Sequence, residues 1–217
     1  MYLPVHNEET RLEEIHRVMK AHPLGILITH TGGHVDANHI PFEFEPGTGS
    51  PGVLTAHVAR ANPVWSDLKT GDEVLVVFRG ADAYISPTWY PSKHELHRQV
   101  PTWNYQVVHA RGIVTIRDDE RFVRGMVARL TRTHEATAGN DRPWKMTDSA
   151  PEYIDSLLRA IVGLEIEVTS LVGKSKLGQN KEVRDIEGPA KALKDRAADE
   201  LSCAMAQAAT RKKEGQA

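Results

Sequence analysis

Val162, Leu164, Ile166 and Val168 alternate with Gly163, Glu165, Glu167 and Thr169. Such alternation has the two-residue period of a strand with one face buried and one wet, and a helix could not gather those four apolar side chains on one side. The chain must therefore build a half-buried sheet, and other segments supply candidates to pair with this strand. "LGILITHT" and "HVDANHIPFEF" flank Gly32-Gly33, a pair that tolerates the positive φ angles of a tight hairpin turn. The loop "EPGTGSPG" precedes a further strand, "VLTAHVA". "EVLVVF" and "AYIS" read as two strands joined at Arg79-Gly80. "YQVVHARGIVTI" reads as another, with Gly112 marking a bulge or a close backbone approach.

Helical spacing occurs elsewhere. Asn7 is placed to cap an opening helix with Glu8 and Glu9 in its first turn and Leu12, Ile15, Val18 and Met19 on one face, ended by His22-Pro23. Phe122, Val123, Met126, Val127 and Leu130 form a stripe within 118–134, and a short helix is expected over 152–159. Gly188-Pro189 opens a terminal helix carrying Leu193, Ala197, Leu201, Ala204 and Met205. Six or seven strands joined mostly by turns, with helices at the start, middle and end, predict an α+β fold that is mainly β. Its expected form is an antiparallel barrel with flanking helices, not a βαβ sheet. A domain over 1–187 followed by a C-terminal helix and tail over 188–217 is the expected organisation.

Composition excludes some functions. A net charge of −2 gives no general attraction for nucleic-acid backbones, and the one concentrated basic run, Arg211-Lys212-Lys213, reads as a solvated end. No run approaches the roughly 20 apolar residues of a membrane span, the N-terminus lacks a secretory pattern, and Cys203 is alone. A cytoplasmic protein without membrane association is expected. His94 and His97 lack the carboxylate or cysteine company of a metal centre, so no metal is expected. No Gly-x-Gly-x-x-Gly, Walker or Gly-x-Ser-x-Gly sequence is present, and no residue stands out as a catalytic acid, base or nucleophile.

Three stretches carry binding chemistry. In "HVARANPVW", His57 near a strand end leads to Arg60 and Asn62, and a guanidinium beside free amides suits a phosphate. In "GKSKLGQN", Lys174, Lys176, Gln179 and Asn180 combine cationic and neutral donors. Between Tyr84 and Gly112, Pro-Thr-Trp occurs twice, at Pro87-Thr88-Trp89 and Pro101-Thr102-Trp103. Ser86, Thr88, Thr102 and Asn104 lie beside these aromatics, an arrangement that can hold a planar ligand or fill a core.

Taken together, "NHIPFEF", "HVARANPVW", "YISPTWYPSK", "VPTWNYQVVHARG" and "KSKLGQN" resemble the PaiB-like family of FMN-binding negative transcriptional regulators, over roughly residues 1–185. The resemblance implies an FMN-binding split β-barrel related to pyridoxamine-phosphate oxidases and flavin reductases, working as a homodimer with flavin at the subunit interface. It places Arg60 and Lys176 near the FMN phosphate, His57 and Asn62 along the same loop, and Gln179 and Asn180 toward the ribityl chain or ring. Asn38, His39 and Pro41 would line the cleft, with Ser86 beside it and Trp89, Trp103 and Tyr105 walling the flavin. Gly178 stands where the family pattern has a serine. A regulatory partner or a weak DNA contact fits the family role; the alternatives are an NAD(P)H-using flavin oxidoreductase and a haem-binding split-barrel protein.

Overall fold

A computed structural model describes residues 1–215 of the chain. In chain order the elements are β1 (Glu8–Glu9), α1 (Leu12–Ala21), β2 (Leu24–Thr31), β3 (His34–Pro41), β4 (Glu43–Glu45), β5 (Val53–Ala59) and α2 (Val64–Asp67). There follow β6 (Glu73–Ile85), α3 (Pro91–Leu96), β7 (Thr102–Arg117), α4 (Glu120–Glu135), α5 (Pro151–Arg159), β8 (Ile161–Lys176), α6 (Val183–Lys194) and α7 (Asp199–Lys213). The strands hydrogen-bond in the order β3-β2-β6-β7-β8-β5-β4, with β1 on β8. The β1–β8, β2–β3, β2–β6, β4–β5 and β5–β8 pairings are all antiparallel. The expected class, mainly β with flanking helices, is what the chain adopts.

The chain divides into two compact units. One comprises Met1–Ala21, Arg79–Val108 and the chain from Val172 onward; the other comprises His22–Phe78 and His109–Leu171. The strands β6, β7 and β8 each contribute residues to both.

In the unit containing His22–Phe78, Val162, Leu164, Ile166 and Val168 are all buried, as their alternation requires. They lie on β8, whose register with β5 pairs Leu54 with Ile166 and His57 with Gly163. Gly32 and Gly33, with φ of 57° and 80°, make the hairpin turn of β2 and β3. Asp119 caps α4 by accepting a hydrogen bond from Phe122 N at 2.8 Å. Val123 of α4 packs with Ile154 and Leu158 of α5 in a small core of its own.

The unit containing the N-terminus departs from expectation in three places. Asn7 does not cap α1: Val5–Asn7 is a 3-10 turn and Glu8–Glu9 pair with Lys174 and Gly173. The Glu9 carboxylate takes the capping contact instead, accepting from Arg11 N at 3.1 Å and from the Arg11 guanidinium at 2.8 and 2.6 Å. Secondly, "AYIS" is not a separate strand, because β6 runs unbroken through Arg79-Gly80. Gly80 is there for space: a Cβ would stand 3.2 Å from Gln106 Cβ and 3.3 Å from Val18 Cγ1. Thirdly, the terminal helix is a pair. The helix α6 starts at Val183, upstream of Gly188-Pro189, and Ala197, with φ of 58°, turns the chain into α7. Ile186, Leu193, Leu201 and Met205 of this pair bury themselves with Ile85, Tyr90 and Leu177.

Gly112 shows the close approach expected of it. Its ideal Cβ would lie 2.5 Å from both Glu167 O and Ile166 Cγ2. Backbone of β8 cannot yield as a side-chain tip would, so Gly112→Ala is expected to cost about 1–3 kcal/mol, the usual range for overpacking. A urea unfolding curve with an unchanged midpoint would contradict that packing.

Candidate functional site

In the unit containing the N-terminus, β8 ends in the Lys174–Lys176 run and turns at Gly178, whose φ of 89° favours glycine. The turn is tied down by Gln179, whose Oε1 accepts from Leu177 N at 2.8 Å and whose Nε2 donates to Ser175 O at 2.5 Å. Lys176 Nζ donates to Thr102 Oγ1 at 2.6 Å and lies 6.0 Å from the Tyr105 ring centroid. A cavity of about 200 Å³ opens beside it, lined among others by Thr102, Asn104, Lys176, Asn180 and Lys181. Of the residues expected to meet a ligand, this geometry brings together Lys176 and Asn180, with Tyr105 beside Lys176.

The two Pro-Thr-Trp copies have different surroundings. Pro87–Trp89 forms a 3-10 turn capped by Ser86, whose Oγ accepts from Thr88 N at 3.3 Å. Trp89 is half-buried against the α6–α7 core, with the Arg196 guanidinium 4.8 Å above its ring. Trp103, on β7, is 54 % exposed and meets Tyr84 edge to face at 6.1 Å. A large aromatic left in solvent is the more informative of the two, because it has surface to offer a planar partner.

Beneath this region lies a polar network that sequence reasoning missed. Gln106, 1 % exposed, donates to Glu14 Oε1 at 2.8 Å and Ser175 Oγ at 3.1 Å and accepts from Arg17 at 2.9 Å. Ser175 donates in turn to Glu9 at 3.2 Å. Burial pushes the Glu14 carboxyl upward, but the Arg17 and Gln106 hydrogen bonds outweigh it and hold the group below the usual range. Nearby, the buried Asp185 accepts from Ser92 N at 3.0 Å and Ser92 Oγ at 2.6 Å, fixing α3 to α6. Burial, reinforced by the Asp185 charge, pushes the Tyr90 hydroxyl up to about 12. The only signal for Gln106 in the sequence is its inward register on β7, shared with Asn104 and Val108.

In the other unit, Asn62 Nδ2 donates to Asn38 Oδ1 at 3.0 Å while Asn62 Oδ1 accepts from Val64 N at 3.0 Å, starting α2. Asn38 is also bonded to Asp36, at 2.8 Å. His39 is exposed and Pro41 half-buried on the same strand, β3. Arg60 directs its guanidinium at Asp118, at 2.5 and 3.0 Å, and at the carbonyls of Arg159 and Ile161, at 2.8 and 3.2 Å. The Arg60 hydrogen bonds hold the Asp118 carboxyl below its usual value. A phosphate on Arg60 would have to displace that carboxylate. His57 is different: its buried Nδ1 has no hydrogen-bond partner, nor does Thr55 Oγ1 two residues earlier on β5. Two orphaned polar atoms on one strand face are what a site for a polar ligand leaves behind.

The chain matches over residues 1–170 the family model described as "Putative FMN-binding domain". The chain belongs to that family. FMN is the cofactor this membership carries, and the PaiB-like resemblance of the motifs is borne out. The chain is 31 % identical over 185 residues to "Protease synthase and sporulation protein PAI 2" of Bacillus subtilis (strain 168), covering 85 % of each chain. It shares its fold with the FAD and heme binding protein from Mycobacterium smegmatis, at a TM-score of 0.52 and 17 % identity over 79 % of this chain and 74 % of that one. The flavocytochrome Anf3 from Azotobacter vinelandii gives 0.53 and 12 % over 79 % and 70 %. These likenesses bear out the split-barrel fold. Among the described residues no helix is long and apolar enough to cross a membrane.

Burial lowers the pKa of His57, and likewise of His16 and His109, from 6.5. A proton therefore prefers the unfolded chain, so stability is full above about pH 6.5 and falls as the pH drops toward the folded-state values, by at most about 1.4 kcal/mol per pH unit for each histidine. Urea midpoints at pH 7.5 and 5.5 should show this loss, and His57→Gln should shrink it. An equal loss in the variant would remove His57 from the account. The lowered carboxyls of Glu14 and Asp118 act in the same direction but only at more acid pH.

Proposed function

We propose that the protein is a homodimeric FMN-binding regulator, and that its flavin contacts include the mouth of the Lys176 cavity. The observation that carries this reading is a half-buried ammonium held by Thr102 Oγ1, beside the Tyr105 ring and a cavity lined by Asn180. FMN combines a dianionic phosphate, a polar ribityl chain and a flat ring system, and this group of residues offers a cation, amide donors and aromatic surface in one place. Lys176 would receive the phosphate, with Gln179 and Asn180 toward the polar chain, and Tyr105 and the exposed Trp103 would supply wall for the ring. In the other unit, the buried His57 Nδ1 is the donor or acceptor still lacking a partner, and Asn38, His39, Pro41 and Asn62 would line the cleft. Arg60 joins them only by exchanging Asp118 for phosphate. Ser86 and Trp89 contribute by shaping the turn that precedes α3.

The regulatory part rests on the relative from Bacillus subtilis, whose name couples it to protease synthesis and sporulation. Two of the three cations in the basic run at 211–213 are engaged, since Lys212 donates to Gln179 O at 2.7 Å and Lys213 pairs with Glu187 at 2.5 Å, and Arg211 alone is too small a patch for a nucleic-acid backbone. Regulation through flavin state or a protein partner fits this better than a tight grip on DNA by the chain itself.

Purified protein is expected to bind FMN, read as quenching of flavin fluorescence. Lys176→Met should weaken binding about ten- to a hundredfold, the worth of one charge-assisted hydrogen bond. Trp103→Ala should weaken FMN retention while leaving a folded dimer by sedimentation. Failure of the wild-type protein to take up FMN would sink the reading. Rapid anaerobic bleaching of bound FMN by NADH or NADPH would replace a regulator with an oxidoreductase.

A further inference from the structure

A second cleft, of about 400 Å³, lies where the N-terminal segment meets α7, and His6, Thr10, Arg11, Gln179, Arg211 and Lys212 are among its walls. Arg211 is half-buried on α7 and, among the described residues, its guanidinium makes no hydrogen bond or ion pair. Its charged neighbours act only from a distance: Arg11 repels it, and Glu9 and Glu14 attract it. Those two carboxylates are already matched, Glu9 by Arg11 and Ser175, Glu14 by Arg17 and Gln106. Glu8, also in the wall, is a second acidic group, so the cleft holds Arg11, Arg211 and Lys212 against Glu8 and the Arg11-bound Glu9. Among the described residues, Arg211 is thus left as a guanidinium taken partly out of water with no carboxylate in contact, and its burial lowers its pKa. A desolvated charge with no partner is costly, and the planar guanidinium matches two oxygens of a phosphate or carboxylate at once. Lys212 spends one donor on Gln179 O and has others to offer.

We propose that this cleft is a binding site for a small oxyanion-bearing molecule, a phosphate or a carboxylate, seated on Arg211 with Lys212 and Thr10 beside it. Arg211, Lys212 and Thr10 are not among the flavin contacts proposed above, and of the walls named only Gln179 is shared with them, so the site is additional to those contacts. Gln179 borders the cleft with its carbonyl bound by Lys212, while its side-chain amide is held by Leu177 N and Ser175 O.

The test is isothermal titration of the full-length chain, with and without saturating FMN, using inorganic phosphate in one arm and malonate in the other. At least one anion should bind, both with and without FMN present. Arg211→Gln should weaken it tenfold or more while FMN binding and the far-ultraviolet circular dichroism stay as in the wild type. Arg211→Lys, which keeps the charge but loses the planar pair of donors, should also bind more weakly, and it serves as the test if Arg211→Gln does not fold. Binding of phosphate alone assigns the site to phosphate compounds, and binding of malonate extends it to carboxylates. No binding of either anion, undiminished binding by the Arg211 variants, or displacement of the anion by FMN would each overturn the proposal.

Discussion

Gln106 holds the unit that contains the N-terminus together at the point where its strands and helices meet. One side-chain amide joins β7 to α1 through Glu14 and Arg17 and to β8 through Ser175, and Ser175 passes the connection to β1 through Glu9. Every member is a buried or half-buried polar group, so each bond made also avoids the penalty of leaving its partner unmatched. An apolar residue at 106 would strand Glu14, Arg17 and Ser175 with fewer partners at once. Lys176, the next residue on β8 after Ser175, starts from this fixed base, which is why it can be held at a defined distance from Thr102 and Tyr105.

The site region is built by opposing treatments of the same residue types. Aromatics that face the helices, Tyr90 and Trp89, are packed and covered by cations, with Lys181 4.4 Å from one ring and Arg196 4.8 Å from the other. Trp103, which repeats the Pro-Thr-Trp sequence of Trp89, is left exposed because it falls on an outward position of β7 instead of in a turn beneath α6. Identical local sequence therefore leads to one structural tryptophan and one available tryptophan, the outcome being set by the element each enters.

Much of the fold was legible because it rests on period and turn chemistry. The alternation in β8, the Gly32-Gly33 hairpin and the stripe of α4 are local properties, and each survived folding unchanged. What failed did so through partners distant in sequence. Asn7 looked like a cap until Glu8 and Glu9 found β8 as a strand partner, and Arg79-Gly80 looked like a turn until the space beside Gln106 and Val18 explained the glycine. The candidate site divides in the same way. Lys176 and Asn180 could be picked out as donors from their own stretch, but the Lys176–Thr102 hydrogen bond joins residues 74 positions apart, and no spacing rule announces it. Arg60 read as a free cation because Asp118, 58 residues on, is invisible from "HVARANPVW".

Gly188 separates family likeness from physical integrity. The ideal Cβ of this residue would stand 2.3 Å from Trp89 O, so α6 can lie on the Pro-Thr-Trp turn only because position 188 carries no side chain. The matched family span ends at residue 170, yet Ile85 and Tyr90, which lie within it, are sealed by Ile186, Leu193, Leu201 and Met205, which lie beyond it. A boundary drawn where resemblance stops would cut through a hydrophobic core, and a protein trimmed there would carry an open greasy wound in place of a C-terminus.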